Sequence, residues 1–193
     1  MKEEILNIKS TENNDIDTYI VYPDKDGPFP IVLLLMDAPG IRQELYDMAS
    51  RIASCGYYVL LPNLYYRTSK KFKWNKPNLD FIHGHTPEES RSLMFENMDT
   101  LSNSIVLQDI KDILLFCKED MNADKGPVGI VGYCMSGPFA FYAAAKLNER
   151  VLAAASIHGV KLITSEEDSP HLFANDIKEK FTSVVLKKIV MLP

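Results

Sequence analysis

The feature that most constrains this chain is one segment, Gly126 to Leu147, which reads GPVGIVGYCMSGPFAFYAAAKL. An apolar, β-branched run is broken at GYCMSG and continues as an alanine-rich helical pattern. A strand, a tight turn with a reactive side chain at its apex and a helix form the layout of a nucleophile elbow. Such a turn requires small residues two positions before and after the nucleophile. Gly132 and Ser136 meet this requirement if Cys134 is at the apex, whereas Pro138 would crowd an apex at Ser136. The sequence therefore predicts Cys134 as the nucleophile.

The helix that follows Cys134 is expected to assist its chemistry. The first N–H groups of a helix are unpaired and its dipole is positive at that end, which favours a thiolate. The N–H of Met135 would face the developing charge on a carbonyl oxygen and so form half of an oxyanion hole. The alternative is a buried structural cysteine, because free cysteines are often buried. The strand–turn–helix context favours the elbow.

Composition limits the class of protein. A chain of 193 residues with 46% hydrophobic content suits a single compact domain over residues 1–193. A net charge of -5 argues against a nucleic-acid partner, and no run is long enough to span a bilayer. Three cysteines without metal-ligand spacing indicate a reducing compartment, so we expect a cytoplasmic protein. The polar, acidic N-terminus does not resemble a signal peptide. We expect no cofactor and no metal.

Strand and helix patterns alternate along the chain, which predicts an α/β fold with a doubly wound, mostly parallel sheet and right-handed crossovers. Ligands bind at the carboxyl ends of the strands in such sheets. Asp37, Asn63, Cys134 and His158 each follow a predicted strand, so we expect them to gather at one edge. The predicted strands are Asp17–Tyr22, Ile31–Met36, Tyr57–Leu61, Val128–Val131, Val151–Ile157 and Phe181–Leu192, and the predicted helices besides that of the elbow are Arg42–Cys55 and Ser102–Glu119.

Residues 62–100 form a lid-like insertion after the third predicted strand. Connections of this length are usually functional lids or disordered segments. Aromatic residues interleaved with lysines could either line a substrate mouth or close an edge of the core; they are Tyr65, Tyr66, Phe72, Trp74 and Phe81. Asp80, His83 and His85 could form a metal cluster, but no further ligands lie nearby in the sequence. The segment from Thr86 to Glu89 resembles the start of a helix, with proline at the first position.

Three motifs together, MDAPGIR, GYYVLLPNLYYR and GYCMSG, resemble the dienelactone hydrolase family of α/β-hydrolases. The resemblance runs from about residue 15 to residue 180. It implies that Cys134 is the nucleophile of a Cys-Asp-His triad that acts on esters or lactones. It also implies that the backbone N–H groups of Ala38 and Met135 form the oxyanion hole, and that Arg67 contacts a substrate carboxylate.

The sequence departs from the family pattern at several places. Asp37 stands where the family carries a Glu that interacts with the nucleophile, Asn63 replaces an Asp, and Ser136 replaces a Gly. The triad Asp and His do not appear at the expected positions after the elbow. His158 could replace the missing base, or it could bind a backbone carbonyl near the sheet. The other available groups, Asp168, His171 and Asp176, share one loop and do not reproduce a triad drawn from separate strand ends.

We therefore expect a chain that lacks the last strand–helix units of the family fold, either as a truncated or frame-shifted reading or as a short form. An exposed last strand would favour a homodimer. The first functional hypothesis is an ester or lactone hydrolase with a small-molecule substrate. The second is a non-catalytic α/β binding or interaction module. A third, a thiol sensor based on Cys134, lacks a resolving cysteine nearby in the sequence.

Overall fold

The computed structural model describes residues 1–68, 87–178 and 180–184. These residues form a mixed seven-stranded sheet with helices packed against it. The strands are β1 Lys2–Lys9, β2 Asp15–Tyr22, β3 Ile31–Leu35, β4 Tyr58–Pro62, β5 Val128–Tyr133, β6 Val151–Ile157 and β7 Lys180–Val184. The α-helices are α1 Gln43–Ser54, α2 Pro87–Asp99, α3 Asn103–Glu119 and α4 Gly137–Lys146, and short 3₁₀ turns cover Cys134–Ser136 and Pro170–Asp176.

The order of the strands across the sheet is β1-β2-β4-β3-β5-β6-β7. At one edge of the sheet, β1 pairs with β2 and β2 pairs with β4 in antiparallel fashion. All the other neighbouring strands are parallel. The chain moves from β3 to β4 on one side and later to β5 on the other. The direction of winding therefore reverses at β3, and an open α/β sheet binds ligands at such a reversal, outside the carboxyl ends of its strands.

The central strands form because their side chains are buried on both faces. Every residue of β3 and of β4 is buried, as expected of apolar runs in the interior of a parallel sheet. Helix α1 covers part of one face of the sheet with Leu45, Ala49 and Ala53. These observations confirm the predicted doubly wound α/β architecture. None of the described helices is both long and apolar enough to cross a membrane.

Strand β1 was not predicted. The sequence indicated that the first strand begins at Asp17, and it predicted no regular structure before that residue. Strand β1 pairs along its whole length with β2, but Ile8 is its one fully buried residue. An outer antiparallel strand with charged, exposed side chains gives little apolar signal. At the other end, β7 covers Lys180–Val184. The rest of the predicted strand over 181–192 lies outside the described residues.

The first residues of the predicted lid belong to the core. Tyr65 and Tyr66 are fully buried, so these two aromatics close the interior and do not line an open mouth. Helix α2 begins at Pro87, as predicted. The possible metal ligands and the other three aromatics lie between 69 and 86, outside the described residues.

Candidate active site

Cys134 lies directly after β5, as the first residue of the sharp 3₁₀ turn that leads into α4. Its φ angle is 51°, in the left-handed region that non-glycine residues rarely adopt. Strain of this kind persists only where the surrounding structure imposes it, and it concentrates at functional sites. The backbone at Cys134 therefore has the geometry of the predicted elbow.

Two glycines make this turn possible because no side chain would fit. A Cβ atom at Gly132 would lie 2.1 Å from the carbonyl oxygen of Ser136 and 3.1 Å from Cβ of Ala140. A Cβ atom at Gly137 would lie 2.5 Å from Cα of Gly159, at the end of β6. The start of α4 can thus pack directly on the carboxyl edge of the sheet.

Ser136, which replaces the expected glycine, ties the elbow to the neighbouring strand. Its buried hydroxyl donates a hydrogen bond to the carbonyl oxygen of Met36, directly after β3. Leu35 of β3 also pairs with Gly132 of β5. The segment that carries Ala38 is therefore fixed beside the elbow.

Tyr65 connects the two predicted halves of the oxyanion hole, a role that the sequence analysis did not assign to it. Its hydroxyl donates to the carbonyl oxygen of Ala38 at 2.8 Å and lies 3.1 Å from Sδ of Met135. Burial raises the pKa of Tyr65, so the hydroxyl remains a donor at neutral pH. The N–H of Ala38 donates no hydrogen bond to any residue that the structure describes. The sequence did contain one signal for this role, because Tyr65 comes just after a predicted buried strand and therefore at the carboxyl edge of the sheet.

The thiol of Cys134 is half-buried, and burial raises its pKa. The backbone N–H of Met135 hydrogen-bonds to the thiol and lowers the pKa, while the negative charge of Asp37 raises it. The net direction is upward. This corrects the expectation that the helix end would favour a thiolate, because the loss of solvation is the largest effect.

Asp37 forms a two-pronged ion pair with Arg42. The two N···O distances are 2.5 and 2.9 Å, and the same guanidinium donates to the carbonyl oxygen of Gly40 at 3.1 Å. Both side chains are largely shielded from solvent, with 19% of Asp37 and 24% of Arg42 exposed. The carboxylate therefore braces the loop that carries Ala38, and its effect on the thiol is electrostatic.

His158 lies at the same sheet edge as Cys134. Tyr133 at the end of β5 pairs with Ile157 at the end of β6, so Cys134 and His158 leave the sheet at the same edge. The φ angle of His158 is 43°, and its ring centroid lies 6.1 Å from that of Tyr133. Among the described residues it makes no hydrogen bond, so the backbone-carbonyl contact considered from the sequence is not formed there.

Asp168 and His171 of the 160–176 loop have partners other than Cys134, and Asp176 faces solvent. The carboxylate of Asp168 accepts a hydrogen bond from the backbone N–H of Ser104 at 2.8 Å, at the start of α3. Nδ1 of His171 lies 2.8 Å from Oγ of Ser169. Asp176 is exposed at the end of a 3₁₀ turn. The structure thus does not bring these three residues into a triad with Cys134.

Arg67 is bound to carboxylates of the chain itself. It forms a two-pronged pair with Asp109 at 2.9 and 2.7 Å and donates to Glu12 at 3.0 Å. The hydroxyl of Tyr66 donates to the same Asp109, whose side chain is fully buried. The contact with a substrate carboxylate that the resemblance implied is therefore not supported, because Arg67 anchors α3 to the turn after β4.

Asn63 retains a structural role in place of the expected aspartate. Its Oδ1 accepts from the backbone N–H of Tyr65 at 3.0 Å, and its Nδ2 donates to Asp17 at 3.2 Å. Asn63 follows β4 directly, so the four residues predicted at the carboxyl edge all lie there. Asn63 supports the turn that carries Tyr65.

A cavity of about 330 Å³ lies beside the elbow. Met135, Pro138 and Phe139 form the side next to Cys134, and the end of α2, the start of α3 and the loop 160–168 form the rest. The described residues contain no group of three or more His, Cys, Asp or Glu side chains that could hold a metal ion. The site as described therefore offers a thiol, backbone N–H donors and an adjacent cavity.

Comparison with known proteins agrees with this geometry. The model of the dienelactone hydrolase family matches residues 16–182. Two relatives named "Putative carboxymethylenebutenolidase" are similar: one from Methylorubrum extorquens, 26% identical over 75% of this chain and 45% of its own length, and one from Synechocystis sp., 27% identical over 77% and 55%. The chain spans about half the length of these curated relatives.

Solved structures show the same fold. The "Putative Dienelactone Hydrolase" of Klebsiella pneumoniae superposes with a TM-score of 0.77 at 22% identity, covering 94% of this chain and 71% of that chain. The dipeptidyl peptidase 4 of Porphyromonas gingivalis also superposes, with a TM-score of 0.65 at 14% identity over 95% of this chain and 27% of its own. The fold, the elbow and the match of the family model over most of the sequence lead to one conclusion: the chain belongs to the dienelactone hydrolase family.

Proposed function

We propose that this chain acts as a hydrolase in which Cys134 attacks the carbonyl carbon of an ester or lactone. The observation that carries the proposal is the left-handed Cys134 at the strand–helix turn, with the N–H of Met135 directed at its sulfur. Reactive cysteines at helix N-termini act as nucleophiles in many acyl-transfer enzymes.

The acylation step uses the thiolate of Cys134. Its sulfur forms a bond to the carbonyl carbon, and the electron pair of the C=O bond moves to the oxygen. That oxyanion accepts hydrogen bonds from the N–H groups of Met135 and Ala38. The oxyanion's electron pair then re-forms the C=O bond as the C–O bond to the alcohol breaks, and the leaving oxygen takes the proton that was removed from the thiol. Tyr65 contributes as a positioning residue, since its hydroxyl binds the carbonyl of Ala38.

The deacylation step requires water. Water attacks the thioester, the C–S bond breaks, and the carboxylic acid leaves while Cys134 regains its proton. Because burial raises the pKa of Cys134, a base is needed to form the thiolate. We propose His158 for this role, since it follows β6 at the same edge and makes no hydrogen bond to another described residue.

The direct test is turnover of p-nitrophenyl butyrate by the wild-type chain and by two cysteine variants. We expect more than one turnover per chain in wild type and none above background in Cys134→Ala. Cys55→Ser is the matched control because Cys55 is exposed and distant from the elbow, and it should retain wild-type activity. Turnover that survives in Cys134→Ala would remove Cys134 as the nucleophile.

A second candidate, a non-catalytic binding module, is favoured by two observations. No described acid completes a Cys-His-acid triad, and the thiol has a raised pKa. Loss of both base and orienting acid normally costs several orders of magnitude in rate. This candidate predicts that Cys134 is labelled once by iodoacetamide and that no p-nitrophenyl ester is turned over.

We also propose a cytoplasmic location, because Cys55, Cys117 and Cys134 are all free thiols. Isolation of the native protein with Cys55 in a disulfide would contradict this location.

A further inference from the structure

We infer that the cavity beside the elbow binds neutral or cationic acyl groups and disfavours anionic ones. The inference rests on the proposed function, because it concerns the ester that Cys134 attacks. Its observations are the charges of the described cavity lining, the engaged donors at the start of α3 and the structural pairing of Arg67.

The body of the cavity is apolar. Its apolar side chains come from α2, the elbow and the loop after β6: Met98, Leu101, Met135, Pro138, Phe139 and Val160. A volume of about 330 Å³ is at the lower end of the range for small-molecule sites. These contacts favour an uncharged hydrocarbon portion next to the reacting carbonyl.

The charged groups of the lining are mostly negative. Asp99, Glu166 and Asp168 carry carboxylates, and Lys161 is the cationic side chain among the described lining residues. Nζ of Lys161 lies 3.7 Å from a carboxylate oxygen of Asp99, which offsets its charge. Glu166 and Asp168 then leave the described part of the lining with a net negative charge.

The start of α3 does not offset this charge toward a ligand. A helix N-terminus can bind an anion through its free N–H groups. Here the N–H of Ser104 donates to Asp168 at 2.8 Å, and the N–H of Ile105 donates to Oγ of Ser102 at 3.1 Å. These donors already have partners within the chain.

The arginine expected to hold a substrate carboxylate is also engaged. Both terminal nitrogens of Arg67 bind Asp109, and Nε binds Glu12. Release of Arg67 would leave the buried carboxylate of Asp109 without its cation, which is costly. The described site therefore provides no unpaired cation for an anionic acyl group.

The experiment compares three p-nitrophenyl esters of similar length: pentanoate, the glutarate monoester and 4-(trimethylammonio)butanoate. Each rate is corrected for spontaneous hydrolysis and for the residual rate of Cys134→Ala. We expect kcat/KM of the glutarate monoester to be about three- to tenfold below that of pentanoate at low salt, and the difference to shrink at high salt. The cationic ester should be at least as good as pentanoate.

Two charge-reversal variants localise the effect. Glu166→Lys should raise kcat/KM of the glutarate monoester relative to pentanoate by about threefold or more. Glu149→Lys makes the same charge change at an exposed position just before β6, at the opposite edge of the sheet, and should leave this ratio unchanged. Equal ratios in the two variants would overturn the assignment to this cavity.

Alkylation separates this inference from the proposed function. In a Cys55→Ser background, Cys134 should react with anionic iodoacetate more slowly, relative to neutral iodoacetamide, than N-acetylcysteine does. If no ester is turned over but this discrimination is present, the proposed function fails and the charge inference stands. If Cys134-dependent turnover favours the glutarate monoester, the charge inference is overturned and the proposed function stands.

Discussion

Replacement of Arg67 by methionine distinguishes a structural anchor from a substrate-binding residue. The change retains most of the side-chain volume but leaves the fully buried carboxylate of Asp109 without its two-pronged partner. Removal of one member of a buried ion pair costs about 3–5 kcal/mol. Because 19% of the Arg67 side chain is exposed, we expect the lower end, about 3 kcal/mol.

The free energy of unfolding, measured by urea denaturation, should show this loss and its pH dependence. Burial raises the pKa of Asp109, while Arg67 and Tyr66 lower it, so removal of Arg67 should raise it further. A carboxyl whose pKa is raised on folding stabilises the fold when protonated and loses that contribution as pH rises through the folded-state pKa. The loss in free energy of unfolding caused by Arg67→Met should therefore be smaller at about pH 5 than at about pH 8.

A second variant removes the unpaired charge. In Arg67→Met/Asp109→Asn no buried carboxylate remains, and Oδ1 of the asparagine can still accept from Tyr66. We expect this double variant to recover more than half of the lost stability at neutral pH. The structural role would be refuted if Arg67→Met were as stable as wild type and differed from it only by a raised KM for the glutarate monoester.

Further predictions concern the elbow and its thiol. Gly132→Ala should cost several kcal/mol in urea denaturation, because its Cβ would lie 2.1 Å from a backbone oxygen, whereas Gly129→Ala, whose nearest contact is 3.6 Å, should be tolerated. Equal losses would contradict the elbow geometry. Ser136→Ala should cost about 1–3 kcal/mol by the same assay, since a buried carbonyl loses its donor; an unchanged midpoint would contradict this. The alkylation rate of Cys134 should reach half its maximum at a higher pH than that of a cysteine in a short, uncharged unstructured peptide, because burial raises the pKa of Cys134. A lower midpoint would refute this direction. His158→Gln should slow Cys134 alkylation at neutral pH if the imidazole acts as base, and an unchanged rate would exclude it.

The central fold could be predicted because buried parallel strands have a strong sequence signal. The run IVLLL over Ile31–Leu35 is apolar at every position, since both faces are covered. Strand β1 could not be recognised in this way. Its register with β2 fixes it as a strand, but Ile5 is 55% exposed and charged residues fill most other positions.

The candidate site could be predicted where local backbone geometry determines it. The position of Cys134 at the turn was predicted from the strand–turn–helix pattern and the small residues around it, because such a turn permits few side chains. Long-range partners had no such signal. The pairing of Arg67 with Asp109 joins residues 42 positions apart, and the contact of Tyr65 with Met135 spans 70. The raised pKa of Cys134 also depends on burial by the whole fold, so a helix-end argument gave the opposite direction.

The most direct test of the account is to trap the acyl-enzyme. Wild-type chain is mixed with p-nitrophenyl acetate, quenched in acid within one turnover and digested, and the peptides are examined by mass spectrometry. We predict one acetyl group on the peptide that contains Cys134, held as a hydroxylamine-sensitive thioester and lost on incubation before the quench. Two results together would contradict the assignment of Cys134 as the nucleophile. Cys134→Ala would release p-nitrophenol at the wild-type rate, and the wild-type chain would contain no acetylated cysteine.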